Sequence, residues 1–326
     1  MNKVKFNGTD LSVTPICLGT VNYDADLPKA EAKRQLSQYV DRGGNFIDSA
    51  HIYGDWVPGV LCRSERTIGE WIKETGSRDK LVISTKGAHP DWDRMDIPRV
   101  RPVNIEKDLH ESLEYLNTDY IDLYFLHRDD PNVPVSEIID YLDSAQKQGK
   151  IRYYGCSNWS QARIREAAEY AKQTGRQGFV ANQLMWSLAD VNFYNLPDKT
   201  FILMDQETHD YHAETGMNVM AYMSIAKGYF ERRYAGEKLP SSVTEVYNSP
   251  TNDQIYERCL DMVKNGEYSF MDLSFMYIMG ETAFPSVPIA SFDNEAQLET
   301  GLAAWNKPLP AALLSELGAI KKYIYR

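Results

Sequence analysis

The chain is short of cysteine, and the four it has, Cys17, Cys62, Cys156 and Cys259, lie far apart with no Cys-x-x-Cys spacing. That pattern indicates neither a zinc site nor a disulfide framework and suits free, mostly buried thiols in a reducing cytoplasm. The six histidines are scattered without metal-ligand spacing, so no metal is expected. Basic residues are outnumbered, 35 Lys and Arg against 46 Asp and Glu, and the formal charge of −11 opposes binding to nucleic acid or anionic lipid. No uninterrupted apolar stretch reaches the roughly 18 residues of a membrane-spanning helix, and Met1 to Gly8 lacks the apolar core of a secretion signal. Linkers rich in Pro, Gly or Ser, low-complexity tracts and repeats are also missing, which makes one domain over residues 1–326 the simplest organisation. No Gly-x-Gly-x-x-Gly turn follows the first apolar run, so the phosphate-binding fingerprint of doubly wound dehydrogenases is absent.

What is present is a regular alternation of short apolar runs with longer amphipathic segments, the pattern of a parallel sheet covered by helices. After a hairpin from Lys3 to Val13, turned at Asn7-Gly8, the runs fall at residues 15–18, 45–48, 80–85, 120–126, 150–156, 178–184, 218–223 and 286–291. Helical spacing marks residues 29–41, 64–74, 104–116, 161–173, 203–215, a broken region 252–279, and 294–302. A terminal helix at 311–323 should pack outside. Eight such units predict a closed (β/α)8 TIM barrel with an N-terminal β-hairpin and an extra C-terminal helix; an open doubly wound sheet is the alternative.

Three of the runs deliver a proton-handling group at the same end. Phe46-Ile47 leads to Asp48 and, shortly after, Tyr53; Leu81 to Thr85 leads to Lys86; Ile121 to Leu126 leads to His127. In a parallel barrel those ends meet at one face, where active sites sit. A tyrosine is a poor acid at neutral pH, and a neighbouring ammonium such as Lys86 should lower its pKa. Asp48 would keep Lys86 protonated, and an N–H of His127 could polarise a carbonyl. The set suits proton exchange with the oxygen of a carbonyl or alcohol, leaving hydride to another group. Taken singly, each residue also has a duller reading as a cap, a packing ring or a solvated charge. A metal-dependent hydrolase using His51, His89 and His127 lacks any ligand spacing to support it.

These residues resemble the aldo-keto reductase family along nearly the whole chain. Phe46 to Gly54 matches its F-I-D-T-A-x-x-Y-G motif with Ser49 for Thr, and Gly149 to Asn158 matches its G-K-I-R-x-x-G-x-S-N stretch. The resemblance implies a catalytic tetrad of Asp48, Tyr53, Lys86 and His127. It also implies a nicotinamide cofactor at the barrel mouth, with Ser157, Asn158 and Gln183 on the carboxamide and Tyr222 stacked on the ring. Gly19, Thr20, Asp48, Ser224 and Gly228 would complete its cradle. Activity is then interconversion of a carbonyl and an alcohol.

The chain departs from the family pattern in two places. Members that prefer NADP carry basic residues near Ser291, Asp293 and Gln297; none of the three is basic here, and Asp293 could accept from a free ribose 2′-hydroxyl, so NAD is expected over NADP. Two connections are also long, Asp55 to Cys62 and Gly87 to Pro102. With Trp56, Trp92 and Trp186 they suggest aromatic faces for a sugar-like or glycoside substrate. A general NADPH-dependent aldehyde or ketone reductase and a cofactor-sensing binding subunit with weak turnover are the other readings.

Overall fold

The computed structural model describes residues 2–321. Strands β1 (Val4–Lys5) and β2 (Ser12–Val13) pair antiparallel, Val4 opposite Val13, and the turn between them uses Gly8 at φ +70°. Then strands and helices alternate: β3 (Cys17–Gly19), α1 (Lys29–Asp41), β4 (Phe46–Asp48), α2 (Arg63–Thr75), β5 (Val82–Gly87), α3 (Pro102–Tyr115), β6 (Ile121–Leu126) and α4 (Val135–Lys147). The second half continues with β7 (Ile151–Ser157), α5 (Gln161–Gln173), β8 (Ala181–Met185), α6 (Gln206–Thr215) and β9 (Asn218–Tyr222). Four helices, α7 (Tyr229–Tyr234), α8 (Ser241–Tyr247), α9 (Pro250–Lys264) and α10 (Phe270–Met279), separate β9 from β10 (Ser286–Ala290). Helices α11 (Glu295–Ala303) and α12 (Ala311–Ile320) follow.

Strands β3 to β10 close into a parallel barrel, β10 returning to β3 with Ile289 opposite Cys17. The expected barrel, hairpin and outer helix are all there; residue 323, where the terminal helix was expected to end, lies outside the described residues. Helix α4 was not anticipated, nor were α7 and α8, and the broken region at 252–279 resolves into α9 and α10.

The hairpin closes one end of the barrel. Phe6, Leu11 and Val13 are buried among residues from the early part of the strands, Cys17, Phe46, Val82 and Val287, and the Phe6 ring meets Phe46 edge-on at 5.8 Å. Burying a phenylalanine in this way stabilises the fold by about 2–3 kcal/mol. Asp122, near the start of β6, is 1% exposed and takes Arg78 at 2.8 Å, Arg152 at 2.5 Å and the Ile83 N–H at 3.0 Å. That buried ion cluster ties neighbouring strands at the end remote from the mouth, where polar residues serve stability. Larger apolar clusters fill the layer between strands and helices. Among the described residues no helix is long and apolar enough to cross a membrane.

Candidate active site at the barrel mouth

The opposite end of the barrel opens into a cavity of about 1020 Å³. Asp48 ends β4, Lys86 lies near the end of β5 and His127 follows β6, so parallel register brings all three to this mouth. Tyr53 arrives from the turn after β4, which is pinned by the Ser49 N–H on the Ser84 carbonyl and the His51 N–H on the Lys86 carbonyl, each at 2.9 Å.

Lys86 is 1% exposed, and the three protons of its ammonium have three acceptors: Asp48 Oδ2 at 2.7 Å, the Ser49 carbonyl at 2.6 Å and the Tyr53 hydroxyl oxygen at 3.2 Å. Asp48 is held in turn, its Oδ1 accepting from Ser84 at 2.6 Å and from Gln183 Nε2 at 2.9 Å. Because Lys86 donates to the Tyr53 oxygen, the phenolic proton is left for an acceptor in the cavity. Burial works against the Lys86 ammonium, yet Asp48 and Tyr53 more than offset it and its pKa is raised. The Tyr53 pKa moves opposite to the sequence expectation. Desolvation raises it, and the lowering by Lys86 and Arg128 does not overcome that. Tyr53 therefore stays protonated at neutral pH.

His127 packs edge-on against the Tyr53 ring at 5.9 Å and donates its backbone N–H to the Gly87 carbonyl at 2.9 Å. Burial, followed by the charges of its neighbours, holds its pKa well below the ordinary histidine value, so the ring is neutral. Its Nδ1 is buried without a partner among the described residues. A bare lone pair there costs less than an orphaned N–H, which places the proton on Nε2.

All twelve residues expected at a cofactor line this one cavity. Gly19 and Thr20 lie at its wall, where a Cβ on residue 19 would meet Ser291 Oγ at 2.8 Å and Ile289 at 2.9 Å. Gln183, with Nε2 on Asp48, has no partner for Oε1 among the described residues. Asn158 is more committed than anticipated: its Oδ1 accepts from the Tyr222 hydroxyl at 2.6 Å and the Ile202 N–H at 3.2 Å, and its Nδ2 donates to Ser157 Oγ at 3.1 Å. The Ser224 hydroxyl is spent on the Ile289 carbonyl at 2.6 Å, and Gly228 sits at φ +70°. At the far end the Asp293 N–H donates to Gln297 Oε1, and Asn294, not Asp293, caps α11 through the Gln297 N–H. The Asp293 carboxylate is thus free of that capping duty.

Trp56 and Trp92 meet edge-on at 5.9 Å beside the cavity and line it. Trp186 does not. It is 3% exposed and packed against Tyr277 and Phe284 under the outer helices, because it lies an odd number of residues from cavity-facing Gln183 and leaves the strand on the other face. Sequence reasoning passed over other lining residues: His89 as part of this site, Arg128 beside His127, Phe201, and the bases Lys227 and Arg232. Arg232 is paired with Glu237 at 2.9 Å, whereas Lys227 is exposed. Adjacency to His127 was the available signal for Arg128. His51 lies elsewhere, bonded to Glu111 at 2.9 Å. It comes within 4.8 Å of Asp108 and Glu111, but Asp108 is occupied by Arg99 and the Ala88 N–H.

A model of the Aldo/keto reductase family matches residues 15–322. "Uncharacterized oxidoreductase YrpG" of Bacillus subtilis is 31% identical over 68% of this chain and 65% of its own length. "Protein tas" of Escherichia coli is 24% identical over 97% of each chain. "Aryl-alcohol dehydrogenase [NADP(+)]" of Phanerodontia chrysosporium is 29% identical over 56% of this chain, and the match spans 50% of that protein. With the barrel, the cavity at its mouth and a family match over nearly every residue, the chain belongs to the aldo/keto reductase family.

Proposed function

We propose that this protein is a NAD(P)-dependent oxidoreductase that interconverts a carbonyl and an alcohol on a sugar-like or glycoside substrate, with Tyr53 as proton donor and acceptor. The observation that carries the reading is the saturation of Lys86, whose three donor contacts leave the Tyr53 proton facing the cavity beside His127. In reduction, Tyr53 gives that proton to the carbonyl oxygen, which the Nε2–H of His127 holds and polarises. The phenolate left behind stands 3.2 Å from the Lys86 ammonium, which Asp48 keeps charged. Oxidation runs the same path in reverse, Tyr53 taking the proton back. The bound nicotinamide supplies or receives the hydride.

The cavity residues fit such a cofactor. Gly19 lies at the cavity wall, and Gln183 Oε1, with no partner among the described residues, offers an acceptor to an amide. NAD is the preferred form on the Asp293 carboxylate, which would repel a 2′-phosphate and accept from a ribose hydroxyl. One observation favours the alternative of an NADPH-dependent aldehyde or ketone reductase: Lys227 brings a positive charge to the same cavity, where Arg232 is paired with Glu237. The edge-on Trp56 and Trp92 support a sugar-like ring, apolar on its faces and hydroxylated at its rim. Four buried free cysteines and the acidic surface charge support a cytoplasmic, single-domain enzyme acting on a small molecule rather than nucleic acid or membrane.

Titration of the purified protein with NADH and NADPH, followed by tryptophan quenching, tests both levels of the reading. Tighter NADH binding is expected. Clearly tighter NADPH binding overturns the Asp293 argument alone, and binding of neither overturns the oxidoreductase reading.

A further inference from the structure

His89 is a buried cavity residue with no part in the proton relay. It is 5% exposed, three residues beyond Lys86, with its ring centroid 4.7 Å from that of His127 and 5.8 Å from that of Trp92. The ring is oriented by a hydrogen bond from Nδ1 to the Pro90 carbonyl at 2.7 Å, while Arg99 holds the backbone by donating to the His89 carbonyl at 2.9 Å. A carbonyl oxygen cannot donate, so Nδ1 carries the proton. Burial, aided by the Arg128 charge, pushes the imidazole pKa down to about 4, so at neutral pH the other nitrogen is bare. Nε2 has no partner among the described residues, and it is not a buried orphan. It opens onto the cavity that the ring lines.

The mouth thus presents two neutral imidazoles of opposite polarity side by side, a donor at His127 and an acceptor at His89. The acceptor selects what it can bind. A carboxylate or phosphate oxygen would face a lone pair at His89 Nε2. A hydroxyl group fits, because it donates. Two hydrogen-bonding rings in contact match two oxygens on neighbouring carbons.

We infer that His89 is a specificity residue that accepts a hydrogen bond from a hydroxyl on the carbon next to the reacting carbonyl, so that the substrate class is α-hydroxy aldehydes and ketones. This rests on the oxidoreductase reading above and narrows it. An unsubstituted aldehyde leaves the His89 lone pair unpaired once water is displaced, which is the kind of loss that sites built on polar contacts use to discriminate.

The test compares kcat/KM for 2-hydroxypropanal and propanal, which differ by that one hydroxyl, in the wild type, His89→Phe and His89→Gln, with the cofactor that binds. Hydration of the free aldehydes cancels when the ratio is compared between variants. The wild type should favour the hydroxyaldehyde by roughly tenfold or more. His89→Phe, which keeps a flat ring against His127 and Trp92, should bring the ratio near one, and His89→Gln, with an amide oxygen as acceptor, should restore part of it. His89→Leu replaces the phenyl variant if that does not fold. A wild type without the preference, or a ratio unchanged in the apolar variants, overturns the assignment while leaving the oxidoreductase reading in place. A wild type that turns over neither aldehyde with NADH or NADPH overturns both.

Discussion

Replacing Lys86 by methionine separates what the buried ion pair does for stability from what it does for chemistry. Asp48 and Lys86 are each 1% exposed and 2.7 Å apart. Lys86→Met leaves the Asp48 carboxylate with only the Ser84 and Gln183 donors, and breaking a buried pair from one side costs about 3–5 kcal/mol. The double variant Asp48→Asn/Lys86→Met removes both charges while the residue 48 side-chain oxygen keeps those two donors. Neutral replacement of a buried pair is often without net cost, so the double variant should recover about 2–3 kcal/mol of the loss. Activity should not recover, because in both variants Tyr53 has no ammonium beside it, and a fall in kcat of about 10²–10⁴-fold is expected. Urea unfolding followed by tryptophan fluorescence gives the stabilities, and single-turnover reduction gives the chemistry. A double variant as unstable as Lys86→Met, or a Lys86→Met enzyme with near wild-type kcat, refutes the argument.

Two further outcomes follow from the geometry. His89 and His212 are pushed down to about 4 by burial, and His127 is lowered as well, so in the folded protein they stay neutral while the unfolded chain protonates near 6.5. Their stabilising effect is complete above about pH 6.5 and is lost as pH falls towards 4. Each of His89 and His212 should contribute about 2 kcal/mol less at pH 5 than at pH 7.5; NMR titration showing either ring protonating near 6.5 refutes this. Trp92→Ala should raise KM with little change in unfolding midpoint, whereas Trp186→Ala should cost about 3–5 kcal/mol of stability through its buried contacts. The opposite division, read by steady-state kinetics and denaturation, would return Trp186 to the substrate site.

The barrel was legible because its strands are mostly buried, and nearly all-apolar runs such as 120–126, broken only by Asp122, have few other uses. Helix α4 carried its own signal in Val135, Ile138, Ile139 and Leu142, all buried at helical spacing, and went unread. Helices α7 and α8, of six and seven residues, are too short for a period to declare itself. Within the site, residue identity led to Asp48, Tyr53, Lys86 and His127, but the direction of the Tyr53 pKa depends on how deeply the ring is desolvated. Counting neighbouring charges along a chain does not give that balance. Lys227 and Arg232 come from the connection after β9, of which the family resemblance pointed only to Ser224 and Gly228, and Lys227 complicates an argument for NAD built from the last strand alone.

The backbone itself marks the mouth as the working end. Among the described residues, eight that are not glycine adopt left-handed φ: Asp24, Cys62, Ala88, Asn117, Asn158, Met223, Ala226 and Lys227. All except Asn117 lie in connections that leave the cavity ends of β3, β4, β5, β7 and β9. An L-residue in that region costs about 1–2 kcal/mol, more than a random scatter of loops would retain at one end. The places are informative. Ala88 turns the chain so that His89 faces the cavity, and Asn158 at φ +60° brings its amide under the Tyr222 hydroxyl. Residues 226 and 227 bend the loop that carries Lys227 over the far end. At the opposite end, where Asp122 joins Arg78 and Arg152, ordinary ion pairing holds the barrel together. Buried ion pairs thus hold both ends, Asp122 at the closed one and Asp48 with Lys86 at the mouth, while left-handed backbone gathers where side chains must be aimed.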